Sequence, residues 1–379
     1  MADFGQHYRA IVADHRAFRE TEPRGKHGDV THAMLLLVEG VPSRRAVLGM
    51  LRTGMRFHGL CPYIALDRAV YGSMIQRVVG VQHCATCCSR SARGLATARR
   101  RRREQTVAND RLGVRWGLAG GTTLATVEAV RAAARFADAS GFDSLWVSHA
   151  MAVHPIVALA CVGADAPHLT EVGTSVVPLY GRHPIDVAQQ AMTAQTALGG
   201  RFTLGIGAAS KQQAEERMGI PWDRPFSLTR DFVNGLQPLL AGQAAHVVGE
   251  QLPTRTTLAI DAPNTPILLA ALGPRMLRFA GERVAGTTLG QCGPRTIATY
   301  VLPHLDAGAA AAGRARPRVM ALVRICVTED RRGAFELAQA ISARYQAFPS
   351  YARVLAKEGL KKTESFRRPN TYANTFPVW

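Results

Sequence analysis

The chain lacks any uninterrupted apolar run near the roughly 20 residues that a membrane span requires. It also lacks an opening signal-peptide pattern, so a cytoplasmic protein without membrane attachment is the expectation. Acidic residues are in short supply, with 28 Asp+Glu against 46 Lys+Arg and a formal charge of +18. That imbalance raises the question of nucleic acid, and its distribution answers it. Residues 1–110 hold 18 basic and 9 acidic side chains, and residues 111–379 hold 28 and 19, so each part carries +9. Charge is therefore densest in the shorter part, mainly at Arg90, Arg93 and the run Arg99 to Arg103. Aromatic residues are missing around that run; Phe57, Tyr63 and Tyr71 lie too far away to serve as stacking platforms. A nucleic-acid partner is accordingly not expected.

Sustained periodicity is also missing from residues 1–110. Ala33 to Val38 and Ala46 to Leu51 are short apolar patches among Gly, Pro and basic residues. Ser89 to Glu104 reads as a solvated linker. The expectation is a basic extension, disordered or atypical, and upstream sequence translated from a wrongly assigned start is one hypothesis for it. Of seven cysteines, Cys61, Cys84, Cys87 and Cys88 are early. His58 with Cys61 and Cys84 with Cys87 have zinc-like pair spacing, but fit no finger pattern and leave Cys88 over. No metal is expected. Cys161, Cys292 and Cys326 read as small buried apolar residues of a reduced compartment.

What is present begins at Val114. Short β-branched or apolar runs alternate with segments of helical spacing. Strands are expected at Val114–Leu118, Phe142–Val147, Val172–Val177, Arg201–Ile206, Pro266–Leu272, Val284–Leu289 and Val319–Val327. Helices are expected between them: Leu124, Val127, Val130, Ala134 and Ala137 share one face, capped by Thr122 or Thr123. Ile185 to Leu198 is rich in Ala and Gln and ends at Gly199-Gly200. Phe226–Leu240, Pro294–Ala312, Asp330–Ala347 and Tyr351–Glu358 follow, with a hairpin near Val247–Thr257. Strand, crossover helix and parallel strand form the repeating unit. The fold class is thus α/β, a (β/α)8 TIM-like barrel with seven strands legible and the eighth not.

Seven phrases carry a resemblance. They are GFDSLWVS (141–148), EVGTSVVPLYGRHP (171–184), GGRFTLGIG (199–207), GIPWDRP (219–225), AALGPRMLRFAG (270–281), GRARPRV (313–319) and YQAFPSYARVLAKEG (345–359). In this order they resemble the luciferase-like flavin and deazaflavin oxidoreductases, most closely the branch that uses coenzyme F420. Two departures stand out. Residues 1–110 have no counterpart in that family, and the chain stops where the family continues to a last barrel strand. The domains expected are thus residues 1–110 as extension, 111–360 as barrel and 361–379 as an irregular tail.

The resemblance implies a deazaflavin across the C-terminal ends of the strands, with hydride transfer to or from its ring carbon. It implies a non-prolyl cis peptide at Ser175-Val176, with Thr174 beside it, under the ring; an ordinary strand end is the plainer reading. Gly205 and Gly207 would let the cofactor approach the backbone. Ser210 and Lys211 stand where relatives often read Ser-His, so Lys211 serves the anionic tail or is a surface lysine. Leu272, Gly273, Pro274 and Arg275 open a helix whose N–H groups suit a phosphate, or form a turn with an N1 proline. Ser148 and His149 end the second strand, where several relatives place Asp-His; His149 is the one candidate acid or base. Arg182-His183 pairs with an acidic group of substrate or cofactor, or ties down its own loop. Trp146 and Trp222 read as packing residues. The expected activity is F420-dependent oxidation or reduction of a small organic molecule, with a homodimer allowed. Alternatives are an FMN-dependent monooxygenase and a truncated, non-catalytic remnant.

Overall fold

The computed structural model describes residues 32–40, 63–65, 115–121, 124–327 and 331–359. The cysteine group at 61–88 and the Arg99–Arg103 run lie outside these residues. Strand β1 is His32–Gly40, β2 Tyr63–Ala65 and β3 Arg115–Gly120. Then follow helix α1 (Val127–Ala139), β4 (Ser144–Val147), α2 (Pro155–Val162), β5 (Glu171–Thr174) and β6 (Val177–Pro178). Next come α3 (Pro184–Ala197), β7 (Phe202–Gly207), α4 (Pro225–Leu240) and the hairpin β8 (Ala245–Val247) and β9 (Thr254–Thr256). The chain goes on through β10 (Ile267–Ala270), α5 (Pro274–Arg283), β11 (Gly286–Leu289), α6 (Leu302–Ala311), β12 (Arg318–Val327), α7 (Arg331–Gln346) and α8 (Pro349–Lys357).

Strands β3, β4, β5, β7, β10, β11 and β12 pair in that order and in parallel. They form a TIM-like barrel of seven parallel strands, and the three-residue β2 pairs in parallel with the end of β12, at Arg324–Cys326. The gap between β12 and β3 is crossed by β1, which runs antiparallel to both. Its register sets Leu35–Glu39 against Ala119–Arg115 on one side and the whole strand against β12 on the other.

Apolar side chains fill two layers. Ala119, Trp146, Leu268 and Met320 occupy the barrel interior. A larger shell joins the outer strand faces to the helices, with Leu145, Leu159, Met192, Phe202, Phe232 and Leu269 at 0 or 1% exposure. Burial on both faces explains why the strands read as unbroken apolar runs. Trp146 packs as expected: it is fully buried, and a Cβ on Gly173 would fall 2.4 Å from its ring.

Several local expectations need correction. The strand expected at Val172–Val177 is two pieces, β5 and β6, separated by Ser175-Val176. Helix α1 is capped by Thr126, whose hydroxyl accepts from the Ala129 N–H at 3.1 Å, not by Thr122 or Thr123. The helix expected at Pro294–Ala312 contains a wider π turn at Ile297–Val301 before α6. Cys161 is exposed, because Ile156, Ala158, Leu159 and Val162 take the inward face of α2. Cys292 is buried as expected, and burial raises its thiol pKa, with Glu358 adding to the shift.

Candidate active site

The C-terminal ends of β4, β5, β7 and β11 converge on one mouth. The peptide between Ser175 and Val176 is cis, at the position where the resemblance implied it. Four hydrogen bonds hold this short segment. The Ser175 N–H donates to the Val147 carbonyl at 3.0 Å, and the Ser148 hydroxyl donates to the Ser175 carbonyl at 2.6 Å. The His149 N–H donates to the Val176 carbonyl at 3.3 Å, and the hydroxyls of Ser175 and Thr288 lie 3.3 Å apart. Thr174 closes the far side, giving its hydroxyl proton to the Gly205 carbonyl at 2.8 Å and accepting from the Gly205 N–H at 2.9 Å. Six expected site residues (Ser148, His149, Thr174, Ser175, Val176 and Gly205) are therefore bonded into one cluster, although they come from three strands. Gly207 joins it through van der Waals contact, since a Cβ there would lie 3.0 Å from a Val176 methyl.

The glycines are required by close approach. A Cβ on Gly205 would stand 1.9 Å from the Thr174 carbonyl oxygen, a backbone atom unable to give way cheaply. Bare backbone thus forms this part of the floor.

His149 is half-buried, and its Nε2 lies 3.0 Å from an Arg182 Nη. Arginine only donates, so His149 Nε2 accepts and its ring proton sits on Nδ1. Burial lowers the His149 pKa, and the charge of Arg182 lowers it further. His154, at the start of α2, is lowered for the same two reasons and then by His149 itself. The two rings meet edge to face at 5.6 Å. His149 Nδ1, His154 Nδ1 and Gln291 Oε1 are all buried without a hydrogen-bond partner among the described residues. Unpaired buried polar atoms are costly and uncommon. Three at one mouth are the atoms that a polar-edged bound ring would satisfy, so this site fits a flavin-like cofactor.

The remaining expected residues lie apart from this cluster. Ser210 accepts from the Gln213 N–H at 3.1 Å, starting the helical segment that follows β7. Lys211 is exposed and 3.7 Å from Glu215, as a surface lysine would be. Leu272 is partly buried, Gly273 is the cap residue of α5, and Pro274 is its first residue. The Arg275 guanidinium lies 3.8 Å over the Phe226 ring. His183 ties down its own loop: its Nδ1 accepts from the Ile185 N–H at 3.3 Å, and its Nε2 lies 3.3 Å from the Pro253 carbonyl.

His154, Thr288 and Gln291 escaped sequence reasoning. Gln291 was detectable only as a polar residue two positions past a strand end; its φ of +60° is a structural fact. His154 preceded a helix-opening proline, a weak signal that resembles ordinary capping.

At the opposite end of the barrel the charges are paired. Glu171 opens β5 and accepts from Arg318 of β12 at 2.8 and 2.5 Å, from Arg115 of β3 at 3.1 Å, and from the Thr203 hydroxyl of β7. Burial alone would raise the Glu171 pKa; the hydrogen bonds and charge of Arg318, with Thr203 and Arg115, bring it below the ordinary carboxylate range. No helix among the described residues is long and apolar enough to cross a membrane.

Comparison with known proteins agrees with this architecture. The family model described as luciferase-like monooxygenase matches residues 111–377. A 5,10-methylenetetrahydromethanopterin reductase of Methanolobus tindarius is 28% identical over 202 residues, covering 53% of this chain and 61% of that protein. The reductase of the same name from Archaeoglobus fulgidus is 29% identical over 231 residues, covering 60% and 69%. The chain thus spans under two thirds of the first relative. Among solved structures, an F420-dependent secondary alcohol dehydrogenase in complex with an F420-acetone adduct superposes with a TM-score of 0.54. It is 17% identical, with 66% of this chain and 83% of that chain covered, a likeness of fold.

Proposed function

This chain belongs to the luciferase-like monooxygenase family, and on that premise we propose that it is an F420-dependent oxidoreductase, transferring a hydride between the deazaflavin and a small organic substrate. The observation that carries the reading is the mouth itself: His149 held beside the Ser148–Ser175–Val176 segment, over the close-packed Gly205, with three unsatisfied polar atoms around it. The resemblance of the seven phrases to the F420 branch supports this cofactor over FMN. We take residues 111–360 as the domain responsible.

Bound F420 would supply the hydride-accepting or hydride-donating carbon. Ser148, Thr174, Ser175 and Val176 would support the ring face, and Gly205 and Gly207 keep side chains out of its path. The start of α5 at Leu272, Gly273, Pro274 and Arg275, with Ser210 and Lys211, would receive the anionic tail. His149 holds its proton on Nδ1 and stays neutral near physiological pH, because burial and Arg182 both disfavour the cation. A neutral ring can donate that proton to a substrate oxygen and recover it in the reverse direction. The apolar shell under the mouth excludes water from below.

Titration of the full chain with F420 tests the reading: quenching of F420 fluorescence with saturation is expected. No quenching, with NADPH oxidation in the presence of FMN and oxygen, would replace it with the FMN monooxygenase reading. Failure to bind either cofactor, with a noncooperative melt, would mark a non-catalytic remnant.

A further inference from the structure

Arg182 is a half-buried cation with no carboxylate bonded to it among the described residues. One Nη donates to the Pro178 carbonyl at 3.3 Å and the other to His149 Nε2 at 3.0 Å. A guanidinium has five N–H bonds, so three remain undirected. The loop holds the side chain in place: Gly181 takes a φ of +74°, and Pro184 begins α3 two residues later. Beside this side chain lies a cavity of about 470 Å³ lined by Arg182, Gly181, His154, Asp186, Gln189 and Gln190.

The surroundings of this cation are almost all neutral. His149 and His154 are both disfavoured as cations, and Gln189 and Gln190 carry no charge. Asp186 reaches the same cavity but forms no ion pair with Arg182. Burial also disfavours the charged form of Arg182 itself. A desolvated charge without a counter-ion is costly, and natural sites keep one where a ligand supplies the opposite charge. The contrast with Arg318 is direct, because that guanidinium is neutralised by Glu171 within the chain.

We propose that Arg182 is the anion anchor of the substrate pocket, and that the substrate is a carboxylate-bearing organic compound whose carboxylate enters from this cavity. Three free N–H bonds suffice for a two-point contact with a carboxylate. The same guanidinium orients His149, so the anchor and the proton-holding ring are set at one fixed distance. This assignment rests on the oxidoreductase reading above and names the chemical class of its substrate.

The test uses the full chain and two probes, benzoate and its neutral analogue benzamide, while the ring resonances of His149 and His154 are followed by NMR at neutral pH. Benzoate is expected to move both sets saturably and benzamide to leave them unmoved. Arg182→Gln should weaken the benzoate response by about tenfold or more, with Arg182→Lys between the two. Equal responses to the two probes, or a benzoate response that persists in Arg182→Gln, would overturn the anchor. Should Arg182→Gln fail to fold, the benzoate–benzamide contrast on the unaltered chain decides. F420 fluorescence quenching is measured in parallel. Quenching without a benzoate response removes the anchor and keeps the cofactor; a benzoate response without quenching removes the F420 reading and keeps the anchor. If F420 itself displaces benzoate with the same dependence on Arg182, the anion is the cofactor's, and the substrate assignment falls.

Discussion

The two ends of this barrel treat their buried charged and titratable side chains in opposite ways. At the N-terminal end Glu171 is surrounded by donors from β3, β7 and β12. At the C-terminal end His149 Nδ1, His154 Nδ1 and Gln291 Oε1 have no partner among the described residues, and Arg182 has no carboxylate among them. Both ends use the same seven strands and similar residue types. The difference shows that the first end is built to hold strands together, including the pair β3 and β12 at the gap in the parallel ring, whereas the second keeps its polar capacity open. In barrels of this type the C-terminal face is the usual place for chemistry.

Exchanging damage between the ends tests this division. At the mouth, His149→Ala should lower F420-dependent turnover by roughly 10²- to 10⁴-fold, the range of one acid–base group. Its urea midpoint should scarcely move, because the lost ring carries an unsatisfied atom. A turnover within twofold of the parent would end the role given to His149. At the other end, Glu171→Ala removes the carboxylate that joins Arg115 of β3 to Arg318 of β12, and breaking a buried pair of this kind costs about 3–5 kcal/mol. Denaturant unfolding should show that loss, while the fraction still folded quenches F420 normally; a stable Glu171→Ala variant would mean that the network does not hold the barrel. Between these lies Gly205→Ala, which forces a methyl against the Thr174 backbone at 1.9 Å. Overpacking of this kind costs about 1–3 kcal/mol, and F420 affinity should drop with it. An unchanged melt and affinity would show that the floor is softer than it looks.

Acid should separate the two ends as well. The folded pKa values of His149 and His154 are lowered, so the unfolded chain binds more protons as pH falls below about 6.5. Their contribution is fully present above that value and is lost as pH falls through the folded values. Glu171 is also lowered, from the carboxylate range, so its contribution is lost only at lower pH. A stability profile should therefore fall in two stages, with Glu171→Gln flattening the more acidic one. The smallest effect belongs to Lys211→Ala: the side chain is exposed beside Glu215, and stability should change by no more than about 0.5 kcal/mol. A loss of F420 affinity in that variant would mark Lys211 as a tail contact.

Much of this was legible in advance, and the reason is local. Strands buried on both faces must be apolar throughout, so β4 and β7 announced themselves; Gly199-Gly200 ended α3 because both residues take positive φ. Thr126 was missed as a cap because three threonines stand within five positions and only the helix trajectory chooses among them. The break between β5 and β6 lay inside an apolar run, where composition carries no mark of a bend. Only the resemblance implied it.

The sequence by itself determined the alternation of strand and helix, the seven strands of the parallel ring, and the short list of strand-end residues from which a site could be made. These follow from nearest-neighbour chemistry, since burial period, caps and turns are written within a few residues. Tertiary structure alone decided which of them meet. His149 and Arg182 are 33 positions apart, Glu171 and Arg318 are 147 apart, and β1 lies across the gap between the first and last strands of the parallel ring. Such meetings depend on strand register around the ring, which no local pattern carries.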